Sequence, residues 1–208
     1  MNRLTPRRPR LAIAGGLLAV LTATLAATGA LRSVDEYAVD HLMPWLEVRH
    51  HPFVTLTSLT LPSLDGPAAN AALDLWTYPA ALVPSAVLVL VASSRLARVD
   101  GIMWCAIWCA GNAIELAGKL TLHKPALYQH ASHASAFDMS LPSGHTIRAF
   151  IVAGAVAAAW RSGRVAYAWA VTVPVALVVT GAHTPTDVAT GAFVALMLAG
   201  WVTNVRGA

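Results

Sequence analysis

The feature that most constrains this chain is a succession of apolar stretches, each close to the length that crosses a lipid bilayer. A membrane-spanning helix needs about 17–25 predominantly apolar residues, since each residue adds only about 1.5 Å of rise. Candidate spans cover residues 11–31, 77–96, 102–121, 145–160, 165–182 and 187–203. Composition agrees, with 57% of the 208 residues apolar, 12% charged and a mean hydropathy of +0.60. Soluble domains carry about 25% charge, so a soluble globule, a disordered chain and a disulfide-stapled mini-domain are excluded. Cys105 and Cys109, four residues apart in one apolar run, read as small packing residues rather than a bridge. The expectation is an all-α, polytopic membrane protein, a six-transmembrane-helix bundle forming one domain over 1–208.

Orientation follows from the Lys and Arg residues of the short loops. With the N-terminus in the cytoplasm, the cytoplasmic segments hold Arg3, Arg7, Arg8, Arg10, Arg95, Arg98, Arg161, Arg164 and Arg206, nine of the fourteen basic residues. Arg32, Arg49, Lys119, Lys124 and Arg148 fall on the other side, and among the acids only Asp100 is cytoplasmic. Both termini are therefore expected inside, in a multi-pass protein of the cell membrane. The net charge of +4 is topological in origin and implies no nucleic-acid partner. A signal peptide competes for the first span, because Ala27-Thr28-Gly29-Ala30 resembles a cleavage site. Its apolar core exceeds the roughly 7–15 residues of a signal h-region, and a retained helix is expected. Trp76, Trp160 and Trp201 fall near span ends, at interfacial depth. Residues 34–48 mix Val34, Tyr37, Ala38, Met43, Trp45 and Leu46 with Asp35, Glu36, Asp40 and Glu47, as in a helix lying on the outer interface. Residues 52–75 receive no assignment.

Eight histidines are many for so apolar a chain, and five of them (His123, His130, His133, His145, His183) fall on the extracytoplasmic side of spans 3 to 6. Three constellations share that side. Lys119 sits near the outer end of span 3, with Glu115 one turn earlier and Lys124-Pro125 beyond. An ionisable residue inside a span is a functional candidate by default, although snorkelling or pairing with Glu115 would also account for it. Leu141-Pro142-Ser143-Gly144-His145-Thr146 opens span 4. A helix N-terminus with a glycine, a hydroxyl and a histidine suits a phosphate, while a plain capped helix start is the simpler alternative. His183-Thr184-Pro185-Thr186-Asp187 turns into span 6. There His183 and Asp187 can share a face, so that the carboxylate fixes the imidazole tautomer; a helix cap by Thr186 or Asp187 is the alternative.

In this order, Lys119, Pro142-Ser143-Gly144-His145 and His183-x3-Asp187 resemble the type 2 phosphatidic acid phosphatase superfamily, whose pattern is K-x6-R-P, then P-S-G-H, then S-R-x5-H-x3-D. The resemblance covers about residues 112–200 and includes the continuation Asp187-Val188-Ala189-Thr190-Gly191. Ala126-Leu127 stands where the family has Arg-Pro, and Ala176-Leu177 where it has Ser-Arg. Neither can replace the paired donors of a guanidinium. Two nearby cations offer themselves as substitutes: Arg148, at i+3 from His145, and Lys124 in the preceding loop.

The resemblance implies hydrolysis of a membrane lipid phosphate or diphosphate of the phosphatidic acid, phosphatidylglycerol phosphate or polyprenyl phosphate type. It implies His183 as nucleophile, His145 as acid and then base, and Asp187 as the group that orients His183. Phosphate binding would fall to Lys119, Ser143 and Gly144, with Arg148 and Lys124 as replacements for the arginines. No metal or other cofactor is implied, and the partners are the lipid substrate and the bilayer, with no signal of oligomeric state. Two other readings stand beside it. One is an inactive relative that only binds lipid phosphate. The other is a metal protein using His123, His130, His133 or His145, for which no tight H-x3-H or H-E-x-x-H pair exists.

Overall fold

The computed structural model describes residues 9–43, 68–124 and 140–205, and among these it is all-helical with no strand. Eight α-helices follow one another: α1 (Pro9–Ala27), α2 (Arg32–Leu42), α3 (Ala68–Thr77), α4 (Leu82–Ser93), α5 (Arg98–Thr121), α6 (Gly144–Ala159), α7 (Val165–Val179) and α8 (Pro185–Val205). Short 3-10 turns at Tyr78–Ala80 and Arg161–Arg164 lead into α4 and α7. Each expected span has a helical counterpart, with ends shifted by turn chemistry. Helix α1 stops at Ala27 because Gly29 takes a left-handed conformation (φ 79°).

Three segments, Arg10–Ala27, Arg161–Val179 and Pro185–Val202, are long and apolar enough to cross a membrane. A fourth is added if the bent pair Ala71–Ala80 and Leu82–Ser93, broken by 46°, counts as one. Helix α6 falls short by length, at 16 residues, and α5 by the polarity of Asn112, Glu115 and Lys119. The physical reason is position. Helix α6 packs against α4, α5, α7 and α8, and nearly every residue from Thr146 to Ala155 is buried, so it meets protein on all sides rather than lipid. The bundle's outer faces carry Leu17, Val20, Ile102, Leu120, Val171, Val175 and Trp201, all strongly exposed. Such a surface is an aggregation liability in water and ordinary in a bilayer.

Helix α1 belongs to the core of the fold, packed on α8. A Cβ on Gly15 would lie 2.6 Å from the Met197 amide nitrogen, and one on Gly200 would lie 2.6 Å from that of Ala12. Residue 12 thus opposes 200 and residue 15 opposes 197, so α1 and α8 run antiparallel at backbone contact, with small residues admitting the close approach. Helix α2 covers the first part of the helix expected over 34–48. It buries Asp35 and Ala38 against α7 and α8, and leaves Val34 and Tyr37 exposed, because Asp35 finds charged and hydroxyl partners inside. Trp45, Leu46 and Glu47 lie outside the described residues, and of 52–75 only 68–75 are described, as helix.

The ends of α5 and α7, the starts of α4, α6 and α8, and helix α2 meet at one end of the bundle. Arg10, Arg95, Arg98, Arg161 and Arg164 lie at the other, where Arg95 covers the Trp160 ring at 5.6 Å. Filling the α1–α8 contact should therefore destabilise the whole bundle. Gly200→Leu is expected to cost about 1–3 kcal/mol or more by overpacking, read as a lower unfolding midpoint in detergent, while Ala14→Leu on the exposed face of α1 leaves the midpoint unchanged. Equal midpoints for both variants would contradict the packing described.

Candidate functional site

The turn into α8 is built by backbone chemistry. Helix α7 ends at Gly181, whose φ of 70° lets the Gly181 N–H reach the Val178 carbonyl at 2.9 Å and the Ala182 N–H reach Leu177 at 2.9 Å. This is a Schellman closure, and it carries the His183 N–H to the same Leu177 carbonyl at 3.1 Å. Helix α8 then starts with Pro185 at its first position, where a missing N–H costs nothing. Asp187, in the third position, accepts the Thr184 N–H on Oδ2 at 3.0 Å, which is half of a capping box. Asp187 thus caps the helix start from its third position rather than as the N-cap residue itself.

His183 is buried, and its Nδ1 lies 3.5 Å from Asp187 Oδ2. That is beyond a normal hydrogen bond, and Nδ1 has no hydrogen-bond partner among the described residues; the contact is electrostatic. Catalytic hydrogen bonds are often long before substrate binds. A carboxylate facing Nδ1 favours the proton there and leaves the lone pair on Nε2.

Lys124 completes this half of the site. Its Nζ donates to Thr184 Oγ1 (2.6 Å), Thr186 Oγ1 (3.0 Å) and Asp187 Oδ1 (2.9 Å), and lies 2.7 Å from Asp35 Oδ2. Asp35 in turn accepts the Thr186 N–H at 3.1 Å and its hydroxyl at 2.6 Å. A carboxylate from α2 thereby satisfies a free N–H at the positive end of α8. Asp35, Thr184 and Thr186 were not singled out by sequence reasoning as site residues. The Asp35 contact spans 151 residues, and no local pattern signals it.

The second half gathers on α5 and α6. Ser143 caps α6, its Oγ accepting from the Thr146 N–H and hydroxyl, so the capped-start alternative describes this residue's present contacts. Glu115 pairs with Lys119 at 2.9 Å and with Arg148 at 2.5 Å. Arg148 is buried and also donates to the Ala80 carbonyl (2.8 Å) and Asn112 Oδ1 (2.9 Å). Gly144 lies directly against the Glu115 carboxylate, which any Cβ there would overlap. His145 follows, half-buried, in the first turn of α6. The halves are joined where the Ser143 N–H donates to the Asp187 carbonyl at 3.0 Å, an approach opened by Gly191, whose Cβ would stand 2.6 Å from the Ser143 carbonyl oxygen.

The two replacement cations are thus both engaged, Arg148 by Glu115 and Lys124 by Asp35 and Asp187. Ala176 and Leu177 are buried core residues, and Leu177 clusters with Ala149, Ala153, Val173 and Val188. Ala126, Leu127, His130 and His133 lie outside the described residues; among those described, no three His, Cys, Asp or Glu side chains gather as metal ligands would. Removing one partner of a buried ion pair strands the other, at about 3–5 kcal/mol. Asp35→Ala is expected to lower stability toward that range, and Asp35→Asn less, because an amide oxygen still accepts from Thr186. Denaturation midpoints in detergent check this, and a wild-type midpoint for Asp35→Ala would contradict the role given to the pair.

No curated protein and no solved structure matches the chain. The family model for the PAP2 superfamily matches residues 16–208, which include both helix N-termini, the Lys119 end of α5 and most of α1. Sequence motifs, an all-helical bundle and a family match over nearly the whole length agree, and the chain belongs to the PAP2 superfamily.

Proposed function

We propose that this protein is a lipid phosphatase that hydrolyses a membrane lipid phosphate or diphosphate through a phosphohistidine intermediate, without a metal, at the extracytoplasmic face. Superfamily membership supports phosphatase activity on phosphate esters. The observation that carries the finer reading is the buried His183–Asp187 pair at the start of α8, tied by the Ser143–Asp187 bond to the turn that holds Gly144 and His145. A nucleophile with its orienting carboxylate is thereby coupled to a second histidine and an anion-binding helix start.

In this reading His183 Nε2 attacks phosphorus as the bond to the leaving oxygen breaks, and His145 gives that oxygen its proton. Water then loses a proton to His145 and attacks the phosphohistidine; the N–P bond breaks, releasing phosphate and restoring His183. The attacking imidazole, once bonded to phosphorus through Nε2 and still protonated on Nδ1, becomes cationic. Lys124, Asp35 and Asp187 together carry one net negative charge beside it, which favours that cation. Lys119, Arg148 and Glu115 carry one net positive charge beside Gly144, on the side where phosphoryl oxygens are held. The substrate class follows from place. A polar cluster at the end of an apolar bundle, flanked by exposed Leu and Val, takes a headgroup whose tails stay in the bilayer.

Six crossings with both termini cytoplasmic complete the proposal. The antiparallel register of α1 and α8 and the arginines at the end opposite the site support it.

Phosphate release from a detergent-solubilised panel of lipid phosphates tests the chemistry. Activity is expected to survive EDTA and to be blocked by orthovanadate, a mimic of pentacoordinate phosphorus. His183→Ala should abolish release and the acid-labile phosphoenzyme together, and His145→Ala should slow turnover by about 10²–10⁴-fold. Loss on EDTA treatment restored by zinc would transfer the site to the metal reading, and binding without release to the inactive-relative reading. Topology has its own test. A cysteine at position 130 should label from outside intact cells and one at position 97 should not; the reverse pattern would invert the protein and move the site to the cytoplasm.

A further inference from the structure

Three groups assigned to phosphate binding above converge on one atom group that belongs to the protein itself. The Glu115 carboxylate holds Lys119 through Oε1 and Arg148 through Oε2, and it lies against the backbone of Gly144. Lys119 and Glu115 side chains are 12% and 13% exposed and Arg148 6%, so water does little to screen the contact. The space beside the Gly144 Cα is occupied by this carboxylate, which a Cβ there would displace. A carboxylate held by a lysine and an arginine, beside a glycine at a helix start, sits where a phosphoryl group would be bound.

We propose that Glu115 is a resident anion of the phosphate pocket, and that a phosphoryl group enters by displacing its carboxylate from Lys119 and Arg148. This deepens the phosphatase reading and rests on it. The charge count makes displacement necessary. Two cations and one carboxylate leave the pocket at +1, and a phosphate monoester brings about −1.5 to −2 at pH 7. With Glu115 in place the sum turns negative; with the carboxylate swung away, Lys119 and Arg148 match the incoming charge. Glu115 is then a specificity-determining residue. It weakens the grip on any phosphate by the cost of breaking its own pairs, and it keeps both cations aligned while the pocket holds no substrate. The requirement attaches to the phosphoryl group itself, whether free or on a lipid.

Glu115→Gln keeps the shape but removes the competing charge, and its single amide oxygen can accept from only one of the two cations. The inhibition constants of inorganic phosphate and orthovanadate are expected to fall about tenfold, as for one charge-assisted contact, and the KM for micellar phosphatidic acid to fall with them. Direct titration of the purified protein with orthovanadate reads the same change without turnover. Unchanged or weaker binding in Glu115→Gln, with wild-type binding intact, overturns the proposal alone. No binding of either anion by either protein overturns it together with the phosphatase reading. The wild type offers an independent measurement should the variant not fold. The chain has three glutamates, Glu36, Glu47 and Glu115, so infrared difference spectra of protein labelled with ¹³C-glutamate can follow the carboxylate. Phosphate must shift a glutamate carboxylate band; saturation with phosphate and no shift refutes displacement.

Discussion

Six charged side chains, three buried and three half-buried, gather at one end of this bundle, and the rule that none can be left unpaired organises everything around them. An ion taken out of water costs several kcal/mol unless a partner and hydrogen bonds compensate it. The chain meets that rule with two trios. Lys124 lies between Asp35 and Asp187, and Glu115 lies between Lys119 and Arg148. Each trio draws on elements far apart in sequence: α2, the segment after α5, and α8 for the first; α5 and α6 for the second. Ion pairing therefore acts as a positioning device, fixing which helix ends meet. The hydrophobic contacts along α6, α7 and α8 supply most of the stabilisation, but they would tolerate sliding that the charges do not.

Close approach is the second requirement, because short side chains reach across only where backbones nearly touch. The glycines provide it. Gly118 meets the Leu141-Pro142 turn, with a hypothetical Cβ 2.9 Å from the Leu141 carbonyl oxygen; Gly111 meets Ile147; Gly191 meets Ser143. Together they press the end of α5 and the start of α8 onto the start of α6. The Ser143–Asp187 hydrogen bond then becomes possible, and the two halves of the site share one backbone link. Gly144 belongs with these three, although what approaches it is a carboxylate rather than a helix.

Much of this was legible in the sequence, and the parts that were not have a common cause. Helices declared themselves by length and hydropathy, and the start of α6 by Ser143; the turn between α7 and α8 was misplaced by a few residues, since the expected spans 165–182 and 187–203 became Val165–Val179 and Pro185–Val205. The pairing of Lys119 with Glu115 follows from four-residue spacing on α5, whereas His183 precedes α8 and is brought to Asp187 by the turn that closes α7. Asp35 was invisible as a site residue because its partners are 89 and 151 residues away, and pattern along the chain carries no such distance. Arg148 was rightly placed on span 4 near His145, but its buried contacts with Ala80 and Asn112 depend on how α4 and α5 lie against α6. The number of crossings was read from hydropathy, which measures burial from water; α6, buried in protein, is apolar for a different reason than α1, which faces outward.

The missing family arginines show how positioning and gripping separate in such a site. Position 177 has two functions that are chemically independent. Its carbonyl accepts the Ala182 and His183 N–H groups and so sets where His183 stands; any residue supplies that. Its side chain, in the family pattern, supplies a guanidinium, and leucine does not. Because the Schellman closure is a backbone structure, it places His183 and Asp187 without any contribution from the side chain at position 177. In place of a guanidinium there is apolar packing with Ala149, Ala153 and Val188, which leaves no room for an unpaired cation at that depth. In the proposed phosphatase, cationic charge for the phosphate would then come from groups already held in place by carboxylates, and each phosphate contact would exchange one anion for another rather than fill an unmet charge.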